Sequence, residues 1–519
     1  MINEEKVDVV IVGAGPAGSV LAACLATAGK SVRVLETGPD RKSQDLYSSP
    51  IWARRLYWST PHVEDTLENT YLSTSAGNGI GGTALHQTGL WPRFHVEDFK
   101  RRTIHGVGLD WPLEYSDLRP YYDTVKAEVG LSGDAQAEIW RPPGAPYPLP
   151  PMQVFPHASK LAEGFEKLDV QISPAPVSIL SQPYRGRPGC TNDGWCLAGC
   201  PIGALANPLV TYIPRARAAG AVFSPNCHVT RVRTDTNGKR AAGVEYVDST
   251  GDLHLQTAKV VILAAFTVEN VRILLNSSHA KHPNGLANNS GLVGKYLNNH
   301  TTTNVYGLFD EDLFSYLGIS TGSLYSVDRL PKFRDHAGHG GLRHWHIGLT
   351  MKPNDVLGVM MTRPDLFGHK LQAFLKRAAQ SLTVLIGASE NLPLIENRIE
   401  LSEKRDRYGM RLARTVYRAS SEGRLLDAQV QEEGIAVTKS AGAREAWHSP
   451  PYSHHMLGGT IMGSDPENSV TDSYGRTHDV PNLFTVGPNL FPTISHANPT
   501  FTLHALAMRS AEHILAQSL

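Results

Sequence analysis

Hydrophobic and polar positions near the start of the chain follow two different periods in succession. The segment VDVVIV at residues 7–12 is an almost continuous apolar, β-branched run, which predicts a buried strand. The turn that follows contains three glycines, Gly13, Gly15 and Gly18. An Ala- and Leu-rich stretch then predicts a helix to about residue 28, and a second apolar run at residues 31–35 ends at Glu36. The pattern predicts a strand, a glycine turn, a helix and a second strand.

This arrangement has the physical features of a dinucleotide-binding turn. Gly13 permits the tight turn, Gly15 lets the backbone approach a pyrophosphate, and Gly18 lets the helix pack on the strand. The helix N-terminus adds backbone NH groups and the positive end of a dipole. Glu36 would accept hydrogen bonds from a ribose diol and would repel a 2′-phosphate. The fingerprint predicts dinucleotide binding and does not choose between NAD and FAD.

Later segments predict further strands. The stretch NRIELSEKRDRYGMRLARTVY predicts two strands around a turn near residues 406–409. RHWHIGLTM, at residues 343–351, alternates as a strand that could line a pocket with aromatic side chains. Its histidines fit hydrogen-bonded sheet residues better than metal ligands, because no carboxylate recurs at ligand spacing.

Composition narrows the class of protein. A chain of 519 residues suggests two domains or one large composite. With 49 basic and 49 acidic residues its net charge is zero, so no bulk field attracts nucleic acid or an anionic membrane, and a small neutral ligand fits better. The uncharged run at residues 9–29 is too weakly apolar for a membrane span, and the start of the chain lacks the basic residues of a signal peptide. We therefore expect a soluble, cytoplasmic protein.

A second glycine cluster, SAGNGIGGTALHQTGLWPRF at residues 75–94, contains Gly81 and Gly82. Such a loop has almost no side chains and can lie against a flat isoalloxazine ring or its pyrophosphate. Together with the fingerprint and the C-terminal segment HHMLGGTIMGSDPENSVTDSYGRTHDVPNLFTVGPNLFPT, it resembles the glucose-methanol-choline (GMC) oxidoreductase family. The segments KVVILAAFTVENVRILLNSS and NNSGLVGKYLNNH extend the resemblance into the middle of the chain. The resemblance implies FAD as the cofactor and alcohol oxidation as the reaction.

The order of the motifs predicts an α/β fold with two domains. A discontinuous Rossmann-like FAD-binding domain would comprise residues 1–110, 188–300 and 451–519. Residues 111–187 and 301–450 would form an α+β substrate-binding domain with an antiparallel sheet.

The resemblance also implies cofactor contacts outside the fingerprint. Val229 falls where the family has a valine whose backbone meets the adenine, although a buried strand valine would look the same. His86 falls where some members attach the flavin covalently and others do not, so we expect flavin contact and leave the covalent bond open. Gly487 stands where other members usually have Asp, so backbone NH groups of Gly487 or Asn489 would make the contact instead.

Oxidising an alcohol to a carbonyl removes the hydroxyl proton and a hydride from the same carbon, so the site needs a base and a group that holds the oxygen over flavin N5. The family pattern places its active-site histidine at His455 rather than His454, and its second residue at Asn498. Imidazole can take the proton, and an amide can donate to the developing alkoxide. His496 is the rival for the second role. The structural alternative is a polar turn before a terminal helix, with Pro499 near its first position.

Three of the five cysteines, Cys190, Cys196 and Cys200, lie close together in the segment PGCTNDGWCLAGCPIGA. They resemble a segment of membrane-linked bacterial sugar dehydrogenases of this family, where three cysteines hold a [3Fe-4S] cluster. Structural thiols or one disulfide are the alternatives. With a cluster, electrons would pass to a cytochrome or dye, a small partner subunit would be expected, and export to the periplasm with that partner becomes the alternative location.

Two classes of function follow. The first is FAD-dependent oxidation of a secondary hydroxyl of a sugar or glycoside to a keto group, because the cysteine segment and GGTALHQTG resemble relatives of the pyranose oxidase, glucoside 3-dehydrogenase and fructose dehydrogenase types. The acceptor would be oxygen or an electron carrier. The second is a non-catalytic flavoprotein electron-transfer subunit, which would need no base; the pairing of His455 with Asn498 argues against it.

Overall fold

The apolar run at the start of the chain forms the centre of a mixed sheet. Strand Val7–Val12 pairs in parallel with Val32–Leu35 on one side and with Leu253–Leu263 on the other. Its odd-numbered residues from Val9 pack into one hydrophobic core and its even-numbered residues from Val10 into another. Both faces of the sheet are therefore buried, which explains why the run is continuous rather than alternating.

A computed structural model describes residues 1–58, 63–64, 72, 76–334 and 343–517. The glycine cluster at residues 75–94 is therefore described except for Ser75. The first sheet has eight strands. Ala241–Val247 pairs antiparallel with Leu253–Leu263, and His228–Thr234 pairs antiparallel with Ala241–Val247. The other strands pair in parallel. In chain order its strands are Ile2–Asn3, Val7–Val12, Val32–Leu35, Val222–Ser224, His228–Thr234, Ala241–Val247, Leu253–Leu263 and Leu483–Thr485.

The second sheet has seven strands and is antiparallel. Its long central strands, Asn298–Leu308 and Leu382–Glu390, pair over nine residues. In chain order its strands are Ser173–Pro174, Asn298–Leu308, Leu324–Ser326, Arg343–Ile347, Leu382–Glu390, Glu445–His448 and Tyr452–Leu457. A third, small sheet contains Val63–Glu64, Arg398–Arg405 and Arg411–Val416.

The helices cover both large sheets. The α-helices are Pro16–Thr27, Pro50–Ala53, Arg101–His105, Tyr115–Val129, Pro156–Lys167, Tyr212–Ala218, Thr267–Asn276, Pro331–Arg334, Pro353–Val359, Gly368–Ser381, Ser421–Ser440 and Thr500–Ala516. Short 3₁₀ helices are Ser43–Asp45, Arg54–Leu56, Gly82–His86, Val96–Lys100, Cys196–Ala198, Met360–Thr362 and Pro488–Leu490. Among the described residues, no helix is both long enough and apolar enough to cross a bilayer.

The C-terminal helix is a central element of the first core. Thr500–Ala516 packs against both Pro16–Thr27 and Tyr115–Val129, and Phe501, Ala505 and Ala507 are completely buried. The chain therefore returns to the first strand–helix unit at its end, which holds the preceding loop beside the glycine turn.

The predicted fold class is confirmed. The first helix ends at Thr27 and the second strand begins at Val32, each one residue inside the predicted limits. The strand pair around residues 406–409 is confirmed. The strand predicted for residues 343–351 ends at Ile347, because Gly348 takes a positive φ of 75° that extended backbone does not allow. Helix Tyr115–Val129, in a segment predicted for the substrate domain, packs instead in the first core.

Candidate active site

A cavity of about 560 Å³ is lined by residues from both large sheets. Its volume lies in the range of small-molecule and cofactor sites. One part of its wall is formed by Gly13, Gly15 and Gly82, and another by His455 and Asn498. The cavity therefore joins the dinucleotide fingerprint to the C-terminal polar residues, which are far apart in the sequence.

The two glycine loops lie back to back at one end. A Cβ on Gly82 would come within 2.7 Å of the Gly15 Cα, so this contact requires a glycine. At Gly15, by contrast, φ is −76° and a Cβ would meet no described atom closer than the Gly82 Cα at 4.0 Å. Protein packing does not require a glycine at position 15. A bare backbone there leaves the cavity open for a ligand such as a pyrophosphate.

Glu36 connects the two loops. One carboxylate oxygen, Oε2, accepts a hydrogen bond from the Ala14 NH at 3.0 Å, and the other accepts from the NH groups of Gly38 at 2.9 Å and Gly79 at 3.2 Å. The side chain is buried and also lines the cavity. A carboxylate held in this way keeps acceptor capacity for a ribose hydroxyl group and adds negative charge that would oppose a 2′-phosphate.

His86 lies on the cavity wall with its ring stacked on Tyr57 at a centroid distance of 4.2 Å. Its Nε2 is buried and has no hydrogen-bond partner in the described structure. Burial lowers the pKa of His86 to about 4, so the ring is neutral at physiological pH. An orphaned nitrogen in a cavity wall is a group that a ligand can satisfy, and the contribution of Tyr57 had no signal in the sequence.

The other predicted cofactor residues take two kinds of position. Val229 and Gly487 line the cavity. Gly18 lies behind it, where a Cβ would be 2.0 Å from the Gly13 carbonyl oxygen, as the expected helix–strand contact requires. Gly81 is also behind the wall, with its NH donating to the Ala14 carbonyl. Asn489 is fully buried and supports the wall from behind.

The contacts of Asn489 explain its burial. Its Oδ1 accepts from the Asn270 side chain at 2.9 Å, and its Nδ2 donates to Thr460 Oγ1 at 2.6 Å. Both groups are thus used within the protein. Gly487 has φ 149° and ψ −164°, a backbone region that is essentially restricted to glycine. Any residue with a side chain, including the family's usual Asp, would be strained in this backbone conformation.

His455 occupies a β-bulge. In the pairing of Tyr452–Leu457 with Asn298–Leu308, Leu457 faces Asn298 and His454 faces His300, so two residues oppose one between these pairs. His455 has a positive φ of 58°, which is strained for a residue with a side chain. Successive residues of a regular strand point to opposite faces, whereas His454 and His455 both line the cavity. The bulge directs both rings to one side.

The environment of His455 keeps its ring neutral. Burial lowers its pKa well below the usual value, and the neighbouring His300, His454 and His346 reinforce the shift. Its Nδ1 lies 2.9 Å from His300 Nδ1. A neutral imidazole carries a lone pair on one ring nitrogen and can accept a proton from a bound hydroxyl group.

The structure brings Asn498 to the cavity and keeps His496 away from it. Asn498 lines the cavity, and its Oδ1 is buried without a partner in the described structure. His496 is fully buried, bonds to Ser495 Oγ at 3.2 Å through Nδ1, and packs against His95. Of the two residues considered for the second catalytic role, Asn498 is therefore the one that a ligand in the cavity can reach.

The strand at residues 343–347 contributes differently from the prediction. His346 lines the cavity, whereas Trp345 packs in a hydrophobic core with helices Pro156–Lys167 and Ser421–Ser440. His346 accepts from Thr321 Oγ1 at 2.8 Å or donates to it, and its Nε2 contacts His344 Nε2 at 2.9 Å. The expectation of hydrogen-bonded sheet histidines is confirmed, and the aromatic lining is an imidazole rather than an indole.

The three cysteines of the predicted cluster segment line a second, much smaller cavity. All are free thiols, so the structure shows no disulfide between them. Burial raises the pKa of Cys190 to about 12 and that of Cys196 to about 11, so both thiols are protonated at neutral pH. Within the described residues, which include this whole segment, no three His, Cys, Asp or Glu side chains are placed to hold a metal ion. The arrangement does not fit a [3Fe-4S] cluster.

The residues at the large cavity do fit FAD. The open space beside Gly15, the carboxylate of Glu36 and the unpartnered His86 nitrogen provide a phosphate approach, a ribose acceptor and a polar contact along one cavity. No comparable set of features occurs around the cysteine cavity in the part of the chain that the structure describes.

Comparisons with known proteins identify the family of the chain. Residues 7–302 and 393–507 match the N- and C-terminal family profiles described as GMC oxidoreductase. The chain is 30% identical over 550 aligned residues to the fructose dehydrogenase large subunit of Gluconobacter japonicus, with 99% of both chains covered. It is 29% identical to 2-methyl-1,2-propanediol dehydrogenase of Mycolicibacterium austroafricanum, covering 99% of this chain and 96% of that protein.

Solved structures show the same fold. Pyridoxine 4-oxidase from Mesorbium loti superposes with a TM-score of 0.69 at 17% sequence identity, covering 99% of this chain and 100% of that one. At this identity the similarity concerns the fold alone.

Proposed function

From the premise that this chain belongs to the GMC oxidoreductase family, as an FAD-dependent alcohol oxidoreductase, we propose that it oxidises a secondary hydroxyl group of a sugar or glycoside to a keto group. The observation that carries the proposal is the single cavity that connects the glycine loops to His455 and Asn498. A hydroxyl-bearing carbon bound between these ends would lie beside the cofactor and beside a neutral imidazole.

Each end of the cavity has a separate task in this proposal. FAD, when bound, supplies a flavin N5 that accepts the hydride. His455 takes the hydroxyl proton, and Asn498 binds the substrate oxygen through its side-chain amide. Asn498, and Leu503 from the first turn of the C-terminal helix, both line the cavity and are largely buried, which limits the access of water.

The lining near His455 supports a hydroxyl-rich substrate. Thr302, Ser453 and His454 bring polar groups to this part of the wall, while Ile386 and Ala388, from the strand that pairs with that of Thr302, add apolar surface. Alternating hydroxyl groups and CH faces are the features of a sugar ring. The relatives named above act, by their names, on fructose and on a 1,2-diol, which are both polyhydroxylated alcohols.

A substrate panel tests the proposal. Purified holoprotein is mixed anaerobically with free hexoses, alkyl glycosides, simple 1,2-diols and primary alcohols, and flavin reduction is followed by loss of its blue absorption. We expect reduction by at least one sugar or glycoside, with a ketone carbon in the product by NMR. Reduction by simple alcohols alone would refute the substrate class. No reduction by any compound, with FAD retained, would favour the non-catalytic flavoprotein.

The same experiment identifies the electron acceptor that reoxidises the flavin. The reduced protein is exposed either to oxygen or to an artificial dye, and reoxidation rates are compared. Fast reoxidation with stoichiometric peroxide identifies an oxidase, whereas reoxidation by dye alone identifies a dehydrogenase.

A further inference from the structure

His300 is a buried residue that touches the candidate base but not the cavity. It lies in strand Asn298–Leu308, is completely buried, and is absent from the cavity wall. Its Nε2 is 2.6 Å from the Ser495 carbonyl oxygen, and its Nδ1 is 2.9 Å from His455 Nδ1. Both of its ring nitrogens are therefore used, one by the backbone and one by His455.

The positions of the protons follow from these two contacts. A carbonyl oxygen can only accept, so His300 Nε2 carries a hydrogen and donates it to Ser495. Burial lowers the pKa of His300 to about 3, so its ring is neutral and Nδ1 has a lone pair. The hydrogen between the two Nδ1 atoms must then belong to His455. In neutral His455 the lone pair is left on Nε2.

We propose that His300 is a positioning residue that holds His455 in the tautomer whose Nε2 lone pair is available to the substrate hydroxyl group. This inference rests on the proposed function, because it assigns His455 as the base. Without His300, His455 would have no fixed acceptor for its Nδ1 hydrogen, and both the tautomer and the ring orientation would be free to change. A ring with hydrogen on Nε2 cannot take the substrate proton at that atom.

The support for His300 is itself fixed. Ser495 is fully buried, and its hydroxyl donates to Asp98 Oδ2 at 2.5 Å. The same Asp98 oxygen accepts from the His95 NH at 2.6 Å. The carbonyl that sets the proton on His300 therefore belongs to a loop that is tied to a buried carboxylate. Two hydrogen bonds thus link this loop to the cavity, one between Ser495 and His300 and one between His300 and His455.

The neighbours of His455 give no alternative acceptor. The titratable groups that face it are His300, His346 from strand Arg343–Ile347, and His454 from its own strand. His346 uses its nitrogens toward Thr321 and His344. In the described structure, only His300 is within hydrogen-bond distance of the His455 Nδ1.

The test compares His300→Leu with His300→Gln. Leucine removes both hydrogen bonds. Glutamine can donate its amide NH to the Ser495 carbonyl and accept the His455 hydrogen on Oε1. We expect His300→Leu to retain FAD and substrate half-saturation but to slow the limiting rate of flavin reduction about 10- to 100-fold, as for loss of one hydrogen bond to a group that becomes charged. His300→Gln should recover to within about 3-fold of the wild type.

His344 provides a matched control. It is equally buried and lies in the same sheet, where one strand, Leu382–Glu390, separates it from the strand of His300. Its Nδ1 contacts the carbonyl of His496, the residue after Ser495. It makes no hydrogen bond to His455 in the described structure. His344→Leu should lower thermal stability about as much as His300→Leu but leave the solvent isotope effect on flavin reduction unchanged. In His300→Leu that isotope effect should rise, because removal of the hydroxyl proton becomes slower.

The outcomes separate this inference from the proposed function. If His455→Ala slows reduction but His300→Leu does not, the positioning role is wrong and the base assignment stands. If His455→Ala has no effect, the proposed base is wrong and the inference fails with it. Equal losses in His300→Leu and His344→Leu, with no recovery in His300→Gln, would show that His300 has only a structural role.

Discussion

The two ends of the large cavity are built in opposite ways. At the glycine end, the loops of Gly15 and Gly82 lie against each other without side chains between them, and the Glu36 carboxylate bonds to both loops. At the histidine end, side chains from distant segments form the wall. His455 lies in a β-bulge and is hydrogen-bonded to His300. The first end depends on bare backbone at its glycines, and the second depends on its side chains.

This difference separates binding from chemistry. A bare backbone leaves space and NH groups for a large, charged cofactor, and it has no group that gains or loses a proton near neutral pH. A buried neutral imidazole can accept a proton from a bound hydroxyl group, and its hydrogen bonds decide which nitrogen is available. Changes at the glycine end should therefore affect cofactor loading, and changes at the histidine end should affect the rate of flavin reduction.

The largest effect is expected from Gly15→Val. The backbone at position 15 accepts a side chain and no described protein atom blocks its Cβ, so the protein should fold while the branched side chain occupies the space for the pyrophosphate. FAD content after purification should fall below the level of detection by absorbance. Gly358→Ala, at an open helix position, is the control and should load normally. Full flavin in Gly15→Val would place the pyrophosphate elsewhere.

His455→Ala should give the opposite behaviour. FAD content should stay at the wild-type level, and flavin reduction in single-turnover mixing should slow by about 10² to 10⁴, the usual contribution of a general base. His454→Ala is the informative companion, since His454 faces the same cavity from the preceding position. A larger loss in His454→Ala than in His455→Ala would transfer the role of base to His454.

Asn498→Ala should have a smaller effect at the same end. Losing one amide contact to the substrate oxygen should slow flavin reduction by about 10²-fold, again without loss of FAD. The same measurement on His496→Gln tests the rival, which lies behind the wall, bonded to Ser495. If the His496 variant loses more activity than the Asn498 variant, the assignment of the second residue is reversed.

The smallest effect concerns stability at acid pH. Burial lowers the pKa of His346 to about 3 and that of His157, which does not line the cavity, to about 4. The unfolded chain binds protons at these sites below pH of about 6.5 while the folded protein does not, so stability present above that pH is lost as the pH falls toward 4. Thermal midpoints between pH 7.5 and 5 should decline.

A single variant tests how steeply the free energy of unfolding depends on pH. His157→Gln keeps a donor for the Gly348 carbonyl, which His157 Nε2 now contacts at 3.0 Å, and removes one titrating group. The dependence of the free energy of unfolding on pH should become shallower by at most about 1.4 kcal/mol per pH unit. An unchanged slope would show that His157 is not neutral when the pH falls.

Much of the glycine end was predictable from the sequence. The fingerprint, its second strand and Glu36 were located within one residue, because each depends on neighbours in the chain. The position of Asn489 was less predictable, since the Asn270 and Thr460 side chains that occupy its amide come from distant segments. The three cysteines lie close together in the sequence, yet their thiols do not form a set of metal ligands within the described structure.

The sequence by itself determined the strand–turn–helix unit, the fold class and the residue types available for chemistry. These depend on backbone preferences and on the burial of apolar side chains, which act over short stretches of chain. Only the tertiary structure decided that His300 contacts the Nδ1 of His455 rather than its Nε2. That choice requires a bulge in strand pairing and contacts between residues 155 and 195 positions apart, and no local pattern specifies a hydrogen bond across such a separation.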